Sequence, residues 1–566
     1  MTQSENGRRF GVVASLLLLA LVVLAYAPSF KGGYVWDDYS SIVLNQHVQD
    51  PSAILSLFAE DFHTFGRGKG NFYRPIQAVT YMVEYAMSSP MTHPAPGATE
   101  PWMSPFLFRV GNALWHAFAS IMLLALLGRL GVSNGVRFVL CALYAVHPIH
   151  TEAVAYISGR ADSLSAGFMF ASLYCVLSDR RWVSTGLSMV WFVVALCSKE
   201  SSTMLPFLLL ALWLTLPRNE EGKARRKSMW IPMAASGVIV AIYGVLRMTV
   251  LQFSQNASGR ELSFADRAIE AMQALALYAG LFFVPTGLHM ERTLDDVPVW
   301  LAAVGLLLLV TFAGVAFIAW RKGWTPVAFG LLWFLITWLP ISGLFPLNAP
   351  MAEHWMYVPM AGFMLALLTI LGSILRATPA RTIAAGVAFA VCTAFVILTV
   401  QRADDWTSNE KLYLATLREN PNTTRVHYNL AVTYEELIGN PPGAKRHYEA
   451  VLAIYDKKHQ AAGISPSEVR FTDEELESHL SLGKMALDQQ RFGEALPHYT
   501  VVLRLQPTDE TKPLIAAASL GAGQCLLALG DPEKAQQMFQ QAVTMDPSMQ
   551  QDINRLMGGP LQPATT

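Results

Sequence analysis

The 566-residue chain is short of charge. Only 15% of its residues are Asp, Glu, Lys or Arg, and the formal net charge is −1; an average soluble domain carries roughly 25% charged residues. A near-neutral chain has no global basic field, which removes the electrostatic argument for nucleic acid as a partner. Cysteine is scarce as well. Cys141, Cys175, Cys197 and Cys392 lie inside apolar runs and Cys525 in a polar stretch. An odd count without motif spacing gives no disulfide framework and no zinc signature. There is no HExxH, and no glycine-rich loop of the kind that cradles a nucleotide.

Apolar residues are abundant, at 53% of the chain, and they are unevenly placed. From Phe10 to about Gln401 long apolar runs dominate; from Arg402 the sequence turns charged and polar. The expected fold class is therefore all-α: a polytopic helical membrane domain over residues 1–402, a soluble helical-repeat domain over 403–557, and a disordered tail over 558–566. A bilayer core needs roughly 20 apolar residues per helix. Spans are expected at 10–29, 106–128, 136–154, 162–178, 182–198, 201–217, 229–250, 299–319, 325–345, 355–376 and 382–401. Arg8 and Arg9 followed by an apolar stretch resemble a signal peptide, but the long apolar core favours an uncleaved first helix.

Lys and Arg near span ends set orientation. Arg8 and Arg9 place the N-terminus in the cytoplasm, and Arg129, Arg137, Arg180, Arg181 and the run from Arg218 to Lys227 then fall in cytoplasmic loops. Segment 266–285 decides the rest. If it lies in the interface as an amphipathic helix, Arg321, Lys322, Arg376 and Arg381 all fall inside. That gives about eleven crossings and puts the C-terminal domain outside.

The polar C-terminal part repeats. Gly483, Ala495, Tyr499 and Pro507 align with Gly523, Ala535, Phe539 and Pro547, each 40 residues later. Gly–x11–Ala–x3–aromatic–x7–Pro is the tetratricopeptide pattern: small residues admit a close helix pair, the aromatic fills the gap, and the proline ends the second helix. A degenerate earlier unit carries Asn429, Leu430, Ala431, Tyr434, Ala444 and Tyr448. Such arrays bind peptides or partner proteins. Asn256 and Asn422 stand in glycosylation sequons.

Ionisable residues in the apolar part gather in the expected outer loops. They are Asp37 and Asp38 in YVWDDYSSIVLN; Arg74; His147, His150 and Glu152 in HPIHTE; Arg160 and Asp162 in GRAD; Lys199 and Glu200; Glu353 and His354. Adjacent residues in an extended segment point in opposite directions, so one of Asp37 and Asp38 faces a cavity while the other caps the next helix. Groups so close to lipid are costly unless paired or facing water, which suggests a polar pocket. His147, His150 and Glu152 are metal-ligand types, but Pro148 breaks their helical spacing. No cofactor is called for, and a divalent ion is left open. Arg74, Arg160 and Lys199 are candidate phosphate contacts.

The pieces YVWDD, YRPIQAVTY, LFRVGNALWH, ALYAVHPIHTEAVAYISGRADSLS, CSKESSTML and AEHWMYVPMAGF, with the repeats after them, resemble in order and content the transmembrane-and-tetratricopeptide O-mannosyltransferases and their bacterial relatives, of the GT-C class. The resemblance implies a membrane glycosyltransferase. A polyprenyl-phosphate sugar would be the donor, a Ser or Thr hydroxyl of a protein the acceptor, and membrane lipid the surroundings. It implies an acidic residue of the first outer loop as catalytic base, which carries onto Asp38 or Asp37, with Asp38 preferred. Arg74, Arg160 and Lys199 fall among the family's polar outer-loop motifs, with His147, His150, Glu152, Asp162, Glu200, Glu353 and His354 as further substrate contacts. Where the family has Glu-Arg before WMYVP, this chain has Glu353–His354. The short array suggests a bacterial inner-membrane protein with loops and repeats in the periplasm, or an ER membrane protein facing the lumen if eukaryotic. A non-enzymatic membrane scaffold and a lipid-saccharide transporter are the alternatives.

Overall fold

The computed structural model describes residues 3–59, 61–62, 72–89, 103–178, 181–251, 262–375, 377–461, 463 and 471–557. Arg180, Arg376, the Asn256 sequon and the expected tail 558–566 lie outside them. The described residues divide into two compact units between Leu412 and Tyr413. Both are helical, and the only β pairing among them is one antiparallel bridge between Arg292 and Met351.

In the first unit six helices among the described residues are long and apolar enough to cross a membrane: Gly7–Lys31, Phe106–Arg129, Glu220–Thr249, Trp300–Arg321, Glu353–Ile374 and Thr378–Asp405. A bent pair, Asn134–Ala145 with Pro148–Ala155, breaks by 50° and would make a seventh. Other stretches expected to span fold as shorter apolar helices, Val183–Leu196, Glu200–Thr215 and Thr325–Ile341. Of the segment 266–285, all but the last two residues fall in the helix Phe264–Phe283, which starts where the Ser263 side chain accepts the Asp266 amide.

The two ends of this bundle differ. At one end the basic helix termini meet aromatic rings: Arg137 stacks on Phe10, Arg129 on Tyr174 and Arg218 on Trp320. The Thr325 hydroxyl donates to the Thr215 carbonyl there at 2.6 Å. At the other ends of the same helices the chain leaves regular helix, around 27–62, 146–160, 197–204 and 284–299, and the buried acids collect there.

Irregular backbone beside a membrane is stable only where other groups satisfy it. The break at 154–158 meets that requirement residue by residue. Asn112 donates to the Val154, Tyr156 and Ile157 carbonyls at 3.1, 2.7 and 3.2 Å. Arg109 donates to Ala155 at 2.8 Å, the Tyr81 hydroxyl to Ile157 at 2.6 Å and Gln77 to Ser158 at 2.9 Å. Every carbonyl from Val154 to Ser158 thus has a side-chain donor, and the break is a built turn.

The second unit stacks helix pairs: Thr424–Val432 with Pro441–Ala461, Asp473–Asp488 with Phe492–Val502, and Lys512–Ala528 with Pro532–Met545. The glycine–aromatic couples of the repeat are in contact. A Cβ at Gly483 would stand 2.9 Å from the Tyr499 ring, and one at Gly523 2.6 Å from the Phe539 ring. The Thr472 side chain and Glu475 form a reciprocal capping box that opens one pair. Two successive units also share a histidine couple: His427 faces His447 and His479 faces His498, each with Nδ1 atoms 2.9 Å apart.

Candidate functional site

The loop carrying Asp37 and Asp38 packs against the 154–160 turn. Asp38 is fully buried. Its Oδ1 accepts the Ser158 amide and hydroxyl, both at 2.9 Å, and its Oδ2 accepts the Val35 amide at 3.1 Å. Burial pushes its carboxyl up to about 6, against the pull of nearby Arg109 and these donors. Asp37 is half-buried and stands beside the Tyr156 hydroxyl. One carboxylate is fully buried and its neighbour is half-buried, in a turn that runs into a helix rather than in an extended segment, and the Asp38 side chain makes no cap hydrogen bond with that helix. Trp36 sets this up with a left-handed φ of +50°, a conformation that costs a bulky residue about 1–3 kcal/mol unless its surroundings over-determine it. They do. Its indole stacks on Tyr156 (5.6 Å, 19°), and Tyr156 stacks on Trp406 (5.2 Å, 26°).

A second group lies at the start of the Glu353–Ile374 helix and the end of Thr378–Asp405. Glu152 Oε1 is 2.9 Å from His354 Nδ1, and its Oε2 accepts the His354 amide at 3.2 Å. Glu353 accepts the His289 amide at 2.7 Å and Arg292 Nη2 at 3.0 Å. Arg402 Nη2 is 3.8 Å from Glu353, and its Nη1 is 3.2 Å from Asp405. Nε and Nη2 of Arg402 have no hydrogen-bond partner among the described residues, although the residue is only 5% exposed. Its guanidinium lies 5.5 Å from the Trp406 ring, so the stack Trp36–Tyr156–Trp406 runs from Asp37 to Arg402. Burial, with Arg292 and Arg402 beside it, pushes the His289 imidazole down to about 3.

The three cations expected to hold phosphate are already engaged. Arg160 is fully buried and donates to Asn112 at 2.5 Å, Thr80 at 3.0 Å and the Phe108 carbonyl at 2.7 Å, with Glu84 at 2.6 Å. All three of its nitrogens are in use, and it braces the helices around the turn. Lys199 is buried against Asp162 at 2.6 Å, and Arg74 pairs with Glu200 at 3.1 Å. His147 is likewise spent: Nε2 reaches the Phe282 carbonyl at 3.0 Å and Nδ1 accepts the Ile149 amide at 3.3 Å. His150 is packed between Tyr144 and Tyr357, with ring centroids 4.5 and 4.6 Å away. Glu353 thus has two cations beside it, Arg292 and Arg402.

Sequence reasoning passed over Arg109, Asn112, Ser158, Arg292 and Arg402. For the first two a signal existed. Arg109, Asn112 and His116 recur at helical spacing on one face of an otherwise apolar run, where ionisable side chains mark a buried polar interior.

Fold and site together define a polytopic helical membrane protein with a buried acidic and cationic centre at one end and a helical-repeat unit. Residues 474–548 match the tetratricopeptide repeat family TPR_12. The homologues are TMTC family protein O-mannosyl-transferases. Protein O-mannosyl-transferase TMTC3 of Mus musculus is 24% identical over 94% of this chain, and the Homo sapiens protein of that name is equally similar. Protein O-mannosyl-transferase F38B6.6 of Caenorhabditis elegans is 26% identical over 75% of this chain. The chain spans about 60% of the length of each of these relatives. No solved structure is significantly similar to it.

Proposed function

We propose that the chain is an integral-membrane glycosyltransferase of the GT-C type. It moves mannose or a related hexose from a polyprenyl-phosphate donor to a Ser or Thr hydroxyl of a protein, with inversion at the anomeric carbon. The names of its homologues support the protein-glycosylating reading. The observation that carries it is the stacked path between a half-buried carboxylate, Asp37, and a buried guanidinium with unspent donors, Arg402.

In this reading the donor phosphate lies against Arg402, whose unused N–H groups meet the charge that develops as the anomeric C–O bond breaks. The acceptor oxygen attacks from the opposite face, and Asp37 takes its proton, a contribution typically worth about 10²–10⁴-fold. The polyprenyl phosphate leaves. Asp38, preferred as base on sequence grounds, serves here as the loop's anchor, because fixed donors occupy both its oxygens. Asp162–Lys199, Arg74–Glu200 and Glu152–His354 line and brace the site.

In this reading the basic helix ends face the cytoplasm, as the positive-inside rule favours, and the site faces the periplasm or lumen. Residues 1–402 form the catalytic domain, and the repeats of 403–557 hold acceptor or partner proteins.

The test is transfer by the purified full chain from polyprenyl-phosphate mannose to Ser/Thr peptides, with the anomeric configuration of the product read by NMR. Asp37→Asn is expected to express normally and lose at least 10²-fold in kcat. Normal turnover by that variant ends the base assignment. A chain whose only measurable property is partner capture through the repeats is a scaffold instead.

A further inference from the structure

The segment Trp406–Asn409, directly after the helix Thr378–Asp405, also faces the aspartate loop. We infer that this segment is a built wall of the site and that Asn409 is a positioning residue for Asp37, an inference that rests on Asp37 as base.

Three contacts carry it. The Trp36 amide donates to Asn409 Oδ1 at 2.9 Å, across 373 residues of sequence. The Gly33 amide donates to the Thr407 carbonyl at 2.8 Å. Arg109 Nη2 donates to the Trp406 carbonyl at 2.9 Å and also to the Gly33 carbonyl. One guanidinium therefore ties the beginning of the loop, the 154–158 turn and the end of the last long apolar helix. The approach is close enough that a Cβ on Gly32 would stand 2.8 Å from Arg109 Cζ and 2.9 Å from Thr407 Cα.

The contact at Asn409 falls at the one point where the loop adopts an unfavourable backbone. Trp36 is the left-handed residue immediately before Asp37, and its amide is held by a side chain rather than by a neighbouring carbonyl. Remove the Asn409 oxygen and the loop loses its grip where it is most inclined to relax. Asp37, the next residue, then loses its fixed place beside the Tyr156 hydroxyl. Asn409 contributes only an acceptor, so a carboxylate in its place does the same work and an apolar residue of similar size does not.

The experiment uses the full chain in lipid nanodiscs and compares Asn409→Leu, Asn409→Ala and Asn409→Asp with the parent. Two readouts are taken: transfer kinetics from polyprenyl-phosphate mannose to a Ser/Thr peptide, and amide hydrogen exchange over residues 33–41. The Leu and Ala variants are expected to lose about 10²-fold in kcat, the scale of a misplaced catalytic group, with KM nearly unchanged, and to exchange faster over 33–41. The Asp variant keeps kcat within a few-fold and exchange at the parental rate. Equal loss in all three variants, or parental exchange in the Leu and Ala variants, overturns the inference. A parent that transfers nothing defeats the proposed function, and the exchange data still decide whether Asn409 holds the loop.

Discussion

Replacing Asp38 by asparagine separates two forces that oppose each other at that carboxylate. Burial raises its proton affinity; Arg109 and three donated hydrogen bonds lower it. The balance in the fold is an upward shift from 3.8 to about 6. The folded chain therefore holds a proton on Asp38 that the unfolded chain has released between pH 4 and 6, and stability falls as pH rises through that window. At about 1.4 kcal/mol per tenfold change in proton affinity, the loss between pH 4.5 and 7 is roughly 2 kcal/mol. Asparagine cannot titrate, so the variant lacks this slope. It has a fixed penalty instead. Val35 donates to one oxygen and Ser158 to the other, so either amide orientation sets an NH2 against a backbone N–H, at about 1–3 kcal/mol. The substitution should consequently cost most in acid and about 2 kcal/mol less at neutral pH. Paired unfolding curves of the two proteins in detergent, taken from pH 4.5 to 8, measure the difference and cancel every other titration. A cost that grows with pH would show that the donors and Arg109 outweigh burial, and the carboxyl's shift would then be downward.

Three further outcomes rest on particular contacts. A methyl group at Gly159 would stand 3.1 Å from Ala153 Cα, with the Glu152 carbonyl closer still; Gly159→Ala should displace the turn, lengthen the Ser158–Asp38 bonds and destabilise the protein by about 1–3 kcal/mol, and an unchanged thermal midpoint refutes it. Asp162→Asn leaves the Lys199 ammonium buried without its partner, a loss of about 3–5 kcal/mol, whereas Asp162→Leu combined with Lys199→Met should recover most of it; a double variant as unstable as the single one contradicts this. Burial, with the facing histidine, pushes His479 and His447 down to about 4. The folded repeats resist protonation of these rings, so their stability holds above pH 6.5 and falls towards pH 4. His479→Gln should flatten that dependence in melting curves of the full chain.

Much of the architecture is legible in the sequence, for identifiable reasons. The change in composition at Arg402 announces a helical membrane part and then a repeat part because lipid and water select different residues over long stretches. The 40-residue offset between Gly483 and Gly523 is readable because each glycine must admit one aromatic ring. Clustered ionisable residues in apolar sequence, such as those of HPIHTE and GRAD, point to a polar interior because isolated ones are too costly there. The role of each residue is not legible. Arg160 looks like a ligand contact until Glu84, 76 residues away, is seen against it; Arg292 and Arg402 carry no signal in the sequence until Glu353 falls beside them. Pairing is a property of the tertiary fold, and a charge's availability depends on what has already claimed it.

That dependence also explains why the first outer loop carries two adjacent acids. A single carboxylate on a loop would have to be held by the same oxygens it uses for chemistry, and every hydrogen bond that fixed it would weaken it as a base. Two adjacent acids remove the conflict. Asp38 spends both oxygens on Ser158 and Val35, and Trp36, held from Asn409, fixes the backbone at Asp37, whose carboxylate lies beside the Tyr156 hydroxyl and outside that set of bonds. The reasoning predicts an asymmetry between conservative changes. Asp37→Glu lengthens only the projecting arm and should leave stability within about 0.5 kcal/mol while lowering kcat. Asp38→Glu forces an extra methylene into a packed interior and should cost about 1–3 kcal/mol. If both changes reduce stability alike, the two aspartates share one structural task, and the loop offers no separate base.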